Sequence, residues 1–132
     1  MEYIGGQSLY DYVEAIPAKK ATEEFGKKIF RKIAKAVKFT HESKVVHRDL
    51  KLQNILLGDN YEVKLIDYGF SCKKYDNSKK LNVFCGTPSY MSPEIIKRLE
   101  YDGFKADIWA LGVCLYRFTT THFPFKGCNE HE

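Results

Sequence analysis

Asp49, Lys51, Asn54 and Asp67 are the residues whose types and spacing could do chemistry together. They fall in two runs, His47-Arg48-Asp49-Leu50-Lys51-Leu52-Gln53-Asn54 and Asp67-Tyr68-Gly69. A carboxylate able to act as a base, an ammonium group, a carboxamide and a second carboxylate are what a nucleotide phosphotransferase needs to hold Mg²⁺ and a hydroxyl nucleophile together. Read singly, His-Arg-Asp is a charged turn and Asp-Tyr-Gly an ordinary β-turn. Together they read otherwise, because Ile55-Leu56-Leu57 and Val63-Lys64-Leu65-Ile66 lie between them as two short strands around the turn Gly58-Asp59-Asn60. A hairpin there places both runs at one edge.

The elements that must carry this hairpin are mostly helical. Residues 8 to 14 read as a short helix, and after Pro17 the segment from Thr22 to about Ser43 reads as a long one. Phe25, Ile29, Ile33 and Val37 recur every four residues as an apolar stripe, while Lys27, Lys28, Arg31, Lys32, Lys35 and Lys38 occupy other faces. Thr22 is the predicted N-cap, and Glu23 and Glu24 suit the positive end of the helix dipole. Residues 70 to 86, rich in Lys, Asn, Ser and Tyr without periodicity, predict a long loop of the length of a regulated substrate platform. Pro93-Glu94 opens a short helix through Arg98. Lys105 to about Thr120 predicts an apolar, buried helix ending before His122-Phe123-Pro124.

With 132 residues, 44% apolar and 14% aromatic, the chain holds one domain able to bury a core. Its net charge of +4 is a mild surplus of dispersed lysines, and a nucleic-acid stripe would need tighter clustering, so no nucleic-acid partner is expected. The cysteines at 72, 85, 114 and 128 form no Cys-x-x-Cys pair and have no zinc-site spacing, which predicts free thiols in a reducing compartment. No apolar run approaches the roughly 20 residues that span a bilayer, and no charged-then-apolar leader opens the chain. A cytoplasmic or nuclear address without a membrane partner is the expectation.

At this point the chain resembles the eukaryotic protein kinase family, on its Ser/Thr branch. Met1-Glu2-Tyr3-Ile4-Gly5-Gly6 looks like a hinge, and Cys85-Gly86-Thr87-Pro88-Ser89-Tyr90-Met91-Ser92-Pro93-Glu94 like the end of an activation segment. Asp107-Ile108-Trp109-Ala110-Leu111-Gly112 looks like the start of the family's central helix. Phe84-Cys85-Gly86-Thr87-Pro88 and His122-Phe123-Pro124-Phe125-Lys126-Gly127 look most like the calcium/calmodulin-dependent and AMP-activated kinase relatives. The resemblance implies an α+β, mainly α-helical C-terminal lobe with a small β-hairpin and the N-terminal lobe missing. It divides residues 1–132 into a hinge at 1–7, a catalytic loop at 47–54 and an activation segment at 67–94, with truncation after 127.

The resemblance also implies roles. Asp49 would accept or orient the proton of a substrate hydroxyl, Lys51 would neutralise the transferring phosphate, and Asn54 and Asp67 would hold Mg²⁺, whose preference for oxygen ligands both satisfy. Met1 would be the gatekeeper, the backbone of Glu2 and Ile4 would meet the adenine of ATP, and Leu56 would floor it. Lys51 with Thr87 implies protein Ser/Thr substrates. Arg48 and Glu94 take structural or substrate-facing parts, and Asp107 would bond backbone around His47-Arg48.

Departures from the pattern shape the expectation. The residues contain no glycine-rich phosphate-covering loop, no strand lysine and no helical glutamate to pair with it, so the chain is expected to bind Mg-ATP weakly and phosphorylate little. The arginine that partners Glu94 in relatives is also missing, leaving a buried carboxylate unpaired. Val83 stands where relatives carry a phosphorylatable threonine, leaving Ser78, another loop residue or no phosphorylation for activation. Ser8 replaces a glutamate that reads basic peptides, Tyr68 a phenylalanine and Ser92 an alanine. The competing expectation is a catalytically incompetent fragment or a kinase-like binding module.

Overall fold

A computed structural model describes residues 5–15 and 22–126. Strand β1 (Gln7–Ser8) leads directly into helix α1 (Leu9–Glu14), whose N-cap Ser8 accepts a hydrogen bond from the Asp11 N–H at 3.0 Å. Helix α2 spans Glu23–Glu42, with the Thr22 hydroxyl accepting from the Phe25 N–H at 3.3 Å. Ile29, Ile33 and Val37 of its apolar stripe are buried, and Phe25 packs against the core's edge. Burying such a side chain contributes about 1.5–3 kcal/mol, which outweighs the modest helix propensity of β-branched residues.

Strands β2 (Val45–Val46), β3 (Ile55–Leu57) and β4 (Val63–Leu65) follow. The hairpin of β3 and β4 pairs Ile55 with Leu65 and Leu57 with Val63, turning through a short 3₁₀ stretch at Asp59–Tyr61. The anticipated hairpin gains a third strand, because β1 pairs antiparallel with β3, Gln7 opposite Leu57 and Ser8 opposite Leu56. Gly6 permits this approach: a Cβ there would fall inside the Leu57 carbonyl.

Residues 70 to 86 depart from an unpaired loop. Cys72–Lys73 forms β5 against β2, Val45 opposite Lys73 and Val46 opposite Cys72, and Leu81 forms a further bridge to Tyr101. Helix α3 (Pro93–Ile96) ends two residues before Arg98, which adopts a positive φ of 56°. Helix α4 (Gly103–Thr120) begins earlier than Lys105 because Asp102 caps it, accepting from the Phe104 N–H at 3.0 Å.

α4 packs on α2, and its Val113, Cys114 and Phe118 join Leu9, Ile29, Ile33, Leu52 and Ile55 in one core. It is not buried all round, since Ile108 is 55% exposed and Leu115 and Tyr116 face outward. Among the described residues, no helix is long and apolar enough to cross a membrane.

Candidate active site

The run from His47 to Asn54 is a loop clamped from three sides. Leu50 and Leu52 sink into the core, and a 3₁₀ turn at Leu52–Asn54 delivers the chain to β3. From α4, the buried Asp107 carboxylate accepts the His47 N–H through Oδ2 and the Arg48 N–H through Oδ1, both at 2.9 Å. A third donor comes from α2: His41 Nε2 lies 2.8 Å from Asp107 Oδ2. Burying a carboxylate is costly unless it is paired and hydrogen-bonded, and these three groups supply that compensation.

Arg48 is thereby held at φ 66°, a region that costs a non-glycine residue about 1–2 kcal/mol. Its guanidinium Nε donates to the Phe70 carbonyl. His47 Nδ1 accepts the Asp49 N–H at 3.2 Å, which places the ring proton on Nε2 for donation to the Ile66 carbonyl at 3.1 Å. One imidazole therefore ties the loop to the end of β4.

Asp49 is 6% exposed, and three polar side chains converge on its carboxylate. The Thr87 hydroxyl donates to its Oδ1 at 2.8 Å, Lys51 Nζ lies 3.2 Å from Oδ2, and the Asn54 amide nitrogen reaches Oδ2 at 3.3 Å. Lys51 Nζ also donates to Thr87 Oγ1 at 2.9 Å, closing a ring of Asp49, Lys51 and Thr87. Asn54 further donates to the Asp49 backbone carbonyl at 2.9 Å, so its nitrogen faces Asp49 and its oxygen is the atom that suits a hard cation. Thr87 is presented by Gly86, whose φ of 115° and close approach to the Arg48 carbonyl leave 2.8 Å for a Cβ.

Asp67 comes two residues after the end of β4. The Ile66 N–H donates to the Asn54 carbonyl at 3.0 Å, so the two residues leave adjacent chain positions. Asp67 itself is exposed, at φ 60°, with Oδ1 accepting from the Gly69 N–H at 3.3 Å. The structure thus joins Asp49, Lys51, Asn54 and Thr87 by direct contacts, while Asp67 follows Ile66, whose backbone is bonded to that of Asn54. The Asp67 carboxylate and the Asn54 carboxamide oxygen are donors of the kind that suit a Mg²⁺-phosphate group.

Leu56 is half-buried on β3, and Met1, Glu2 and Ile4 lie outside the described residues. Glu94 is half-buried rather than buried, which relaxes its need for an arginine partner. Tyr68 places its added hydroxyl 3.2 Å from Thr40 Oγ1, whereas the buried Ser92 Oγ has no hydrogen-bond partner among the described residues. His41 escaped sequence reasoning altogether. Its only signal is a histidine in the last turn of a helix shortly before His47, and helix periodicity does not reveal which way that turn faces.

A buried carboxylate braced by a lysine, a threonine and an asparagine, on a loop hung from a buried aspartate, is the arrangement expected of a phosphotransferase of the protein kinase kind. The chain belongs to that family: residues 1–132 match the protein kinase domain. It is 45% identical over 127 residues to human NUAK family SNF1-like kinase 1, covering 96% of this chain and 19% of the relative. It is 43% identical over 132 residues to NUAK family SNF1-like kinase 2 of Pongo abelii, covering 100% of this chain and 20% of the relative. The chain spans about a fifth of the length of these curated relatives. By family resemblance it is a Ser/Thr kinase domain related to the AMP-activated kinases.

Proposed function

We propose that these residues form the C-terminal-lobe portion of an ATP-dependent protein Ser/Thr kinase, with a catalytic loop at 47–54 and an activation segment at 67–94. The observation that carries the reading is the hydrogen-bonded ring of Asp49, Lys51 and Thr87 with Asn54 against it. Mg-ATP, when bound, supplies the transferable phosphoryl group and the metal charge that offsets its developing negative charge.

The chain's own residues do the positioning. A carboxylate offers about four lone-pair sites. Lys51 and Asn54 both address Asp49 Oδ2, and Thr87 takes one site on Oδ1, so the remaining site on Oδ1 is where Asp49 meets a substrate Ser or Thr hydroxyl. Asp49 orients that hydroxyl and accepts its proton, while the Lys51 ammonium stabilises negative charge on the group being transferred. Asn54 and Asp67 supply oxygen donors toward Mg²⁺. Thr87 links the substrate-facing segment to the base, so a protein substrate seated on that segment is registered to Asp49. The substrates inferred are proteins bearing Ser or Thr, and the address inferred is cytoplasmic or nuclear.

The test is phosphotransfer from radiolabelled Mg-ATP to a generic Ser/Thr substrate by the purified 132-residue chain. Turnover is expected to be low, because these residues hold no Gly-x-Gly-x-x-Gly strand pair to close over the phosphates. Asp49→Asn is expected to remove what turnover there is. Transfer that survives Asp49→Asn overturns the assignment, and a folded chain with no transfer at all returns it to the binding-module alternative.

A further inference from the structure

Lys74 is the least exposed cation of the molecule's long connecting segment, with a side chain 4% accessible, and nothing in the phosphotransfer chemistry uses it. Its backbone N–H donates to the Lys44 carbonyl at 2.8 Å, extending the pairing of β5 with β2. Its ammonium lies 3.5 Å from Asp102 Oδ1, donates to the Asn77 carbonyl at 3.3 Å and stands 5.2 Å from the centre of the Phe104 ring. The location is unfavourable for a lone lysine, because the N-terminal end of α4 carries positive partial charge. Asp102, the cap of that helix, makes the site tenable: the same Oδ1 accepts from the Phe104 N–H and faces Lys74. Without Asp102 the ammonium regains water by local opening of the segment that carries it, and the partner charge opposes that opening.

The segment beyond Lys74 is fastened by backbone and phenol hydrogen bonds and by the Arg98 guanidinium, 4.4 Å from the centre of the Phe84 ring. Leu81 and Tyr101 exchange both backbone hydrogen bonds at 2.8 Å, and the Tyr101 hydroxyl donates to the Val83 carbonyl at 2.8 Å. Upstream, Arg48 is engaged by the Phe70 carbonyl. At residue 83 the structure uses a backbone carbonyl, and the valine side chain offers nothing to phosphorylate.

We infer that Lys74, through Asp102, is a positioning residue that latches the segment 70–86 to the start of α4 and presents Thr87 to Asp49 without a phosphate on the segment. The inference rests on reading 67–94 as the substrate-facing segment of a kinase. The segment is then ordered without any modification of its residues.

The test reads segment order without ATP, so it stands or falls separately from phosphotransfer. The full chain is treated with phosphatase, shown by intact mass to carry no phosphate, and digested with limiting trypsin while cleavage at Lys79-Lys80 is followed. The Lys74→Met and Asp102→Asn variants are expected to be cut there about tenfold faster than the unmodified chain, at an unchanged urea midpoint. Asparagine keeps the helix cap, so Asp102→Asn carries the test if Lys74→Met does not fold. Lys74→Arg is expected to restore protection. Equal cleavage in all variants, protection gained only after a phosphate is added, or a urea midpoint falling in step with cleavage would each overturn the latch.

Discussion

Thr87 does more at the residue scale than its place beside Gly86 and Pro88 suggests. It donates to Asp49 and accepts from the Lys51 ammonium, so a single hydroxyl keeps two opposite charges 3.2 Å apart in a fixed geometry. Thr87→Val is nearly isosteric but removes both hydrogen bonds. It is expected to lower phosphotransfer by roughly 10–100-fold while leaving Mg-ATP affinity unchanged, and Thr87→Ser should keep most of the rate. Equilibrium binding of a fluorescent nucleotide alongside the transfer assay separates the two effects. Asp107 makes a contrasting prediction about stability. Asp107→Asn presents an amide N–H₂ to groups that are themselves donors, so unfolding in urea should show a loss of about 2–4 kcal/mol.

At the element scale the critical junction is the one between segment 70–86 with Thr87 and the loop at 47–54. Gly86→Ala would force a φ of 115° on a residue with a Cβ 2.8 Å from the Arg48 carbonyl. A loss of about 1–3 kcal/mol is expected, read by thermal unfolding. Thr22→Ala, by comparison, removes one cap hydrogen bond from α2 and should cost about 1 kcal/mol without affecting transfer. The helices were legible for local reasons. Ile29, Ile33 and Val37 announce α2 by period, and Thr22 announces its start. Segment 70–86 was not legible, since Cys72 and Lys73 become a strand only when Val45 and Val46 are alongside, and no local pattern encodes that partner.

For the molecule as a whole, the core sets an alkaline limit. Burial pushes the Cys114 thiol up from an ordinary value near 9 to about 12, and burial likewise raises the phenols of Tyr90 and Tyr101. Each group holds its proton more tightly folded than unfolded. Their contribution is fully present below the unfolded-state values and is lost as pH rises toward the folded ones. Urea midpoints should therefore hold steady to about pH 9 and decline between there and about pH 12, with Cys114→Ala flattening the decline. The same burial makes Cys114 inert. A thiol reagent at pH 8 should modify the half-exposed Cys72 and Cys85 well before it.

The chemical alphabet of the site belongs to the sequence. His47 through Asn54 and Asp67-Tyr68-Gly69 specify a carboxylate base, a cation and oxygen donors, and the intervening apolar runs specify a hairpin, because residue type and short-range spacing are properties of the linear chain. Which groups actually touch was decided by folding. Thr87 meets Asp49 from 38 residues away, Lys74 meets Asp102 from 28, and His41 meets Asp107 from 66. Such contacts depend on helix rotation, loop closure and side-chain direction, all set by the packing of α2 against α4. Only the folded core therefore determines that one buried aspartate, Asp107, carries the backbone of His47 and Arg48, the two residues that lead into the other, Asp49.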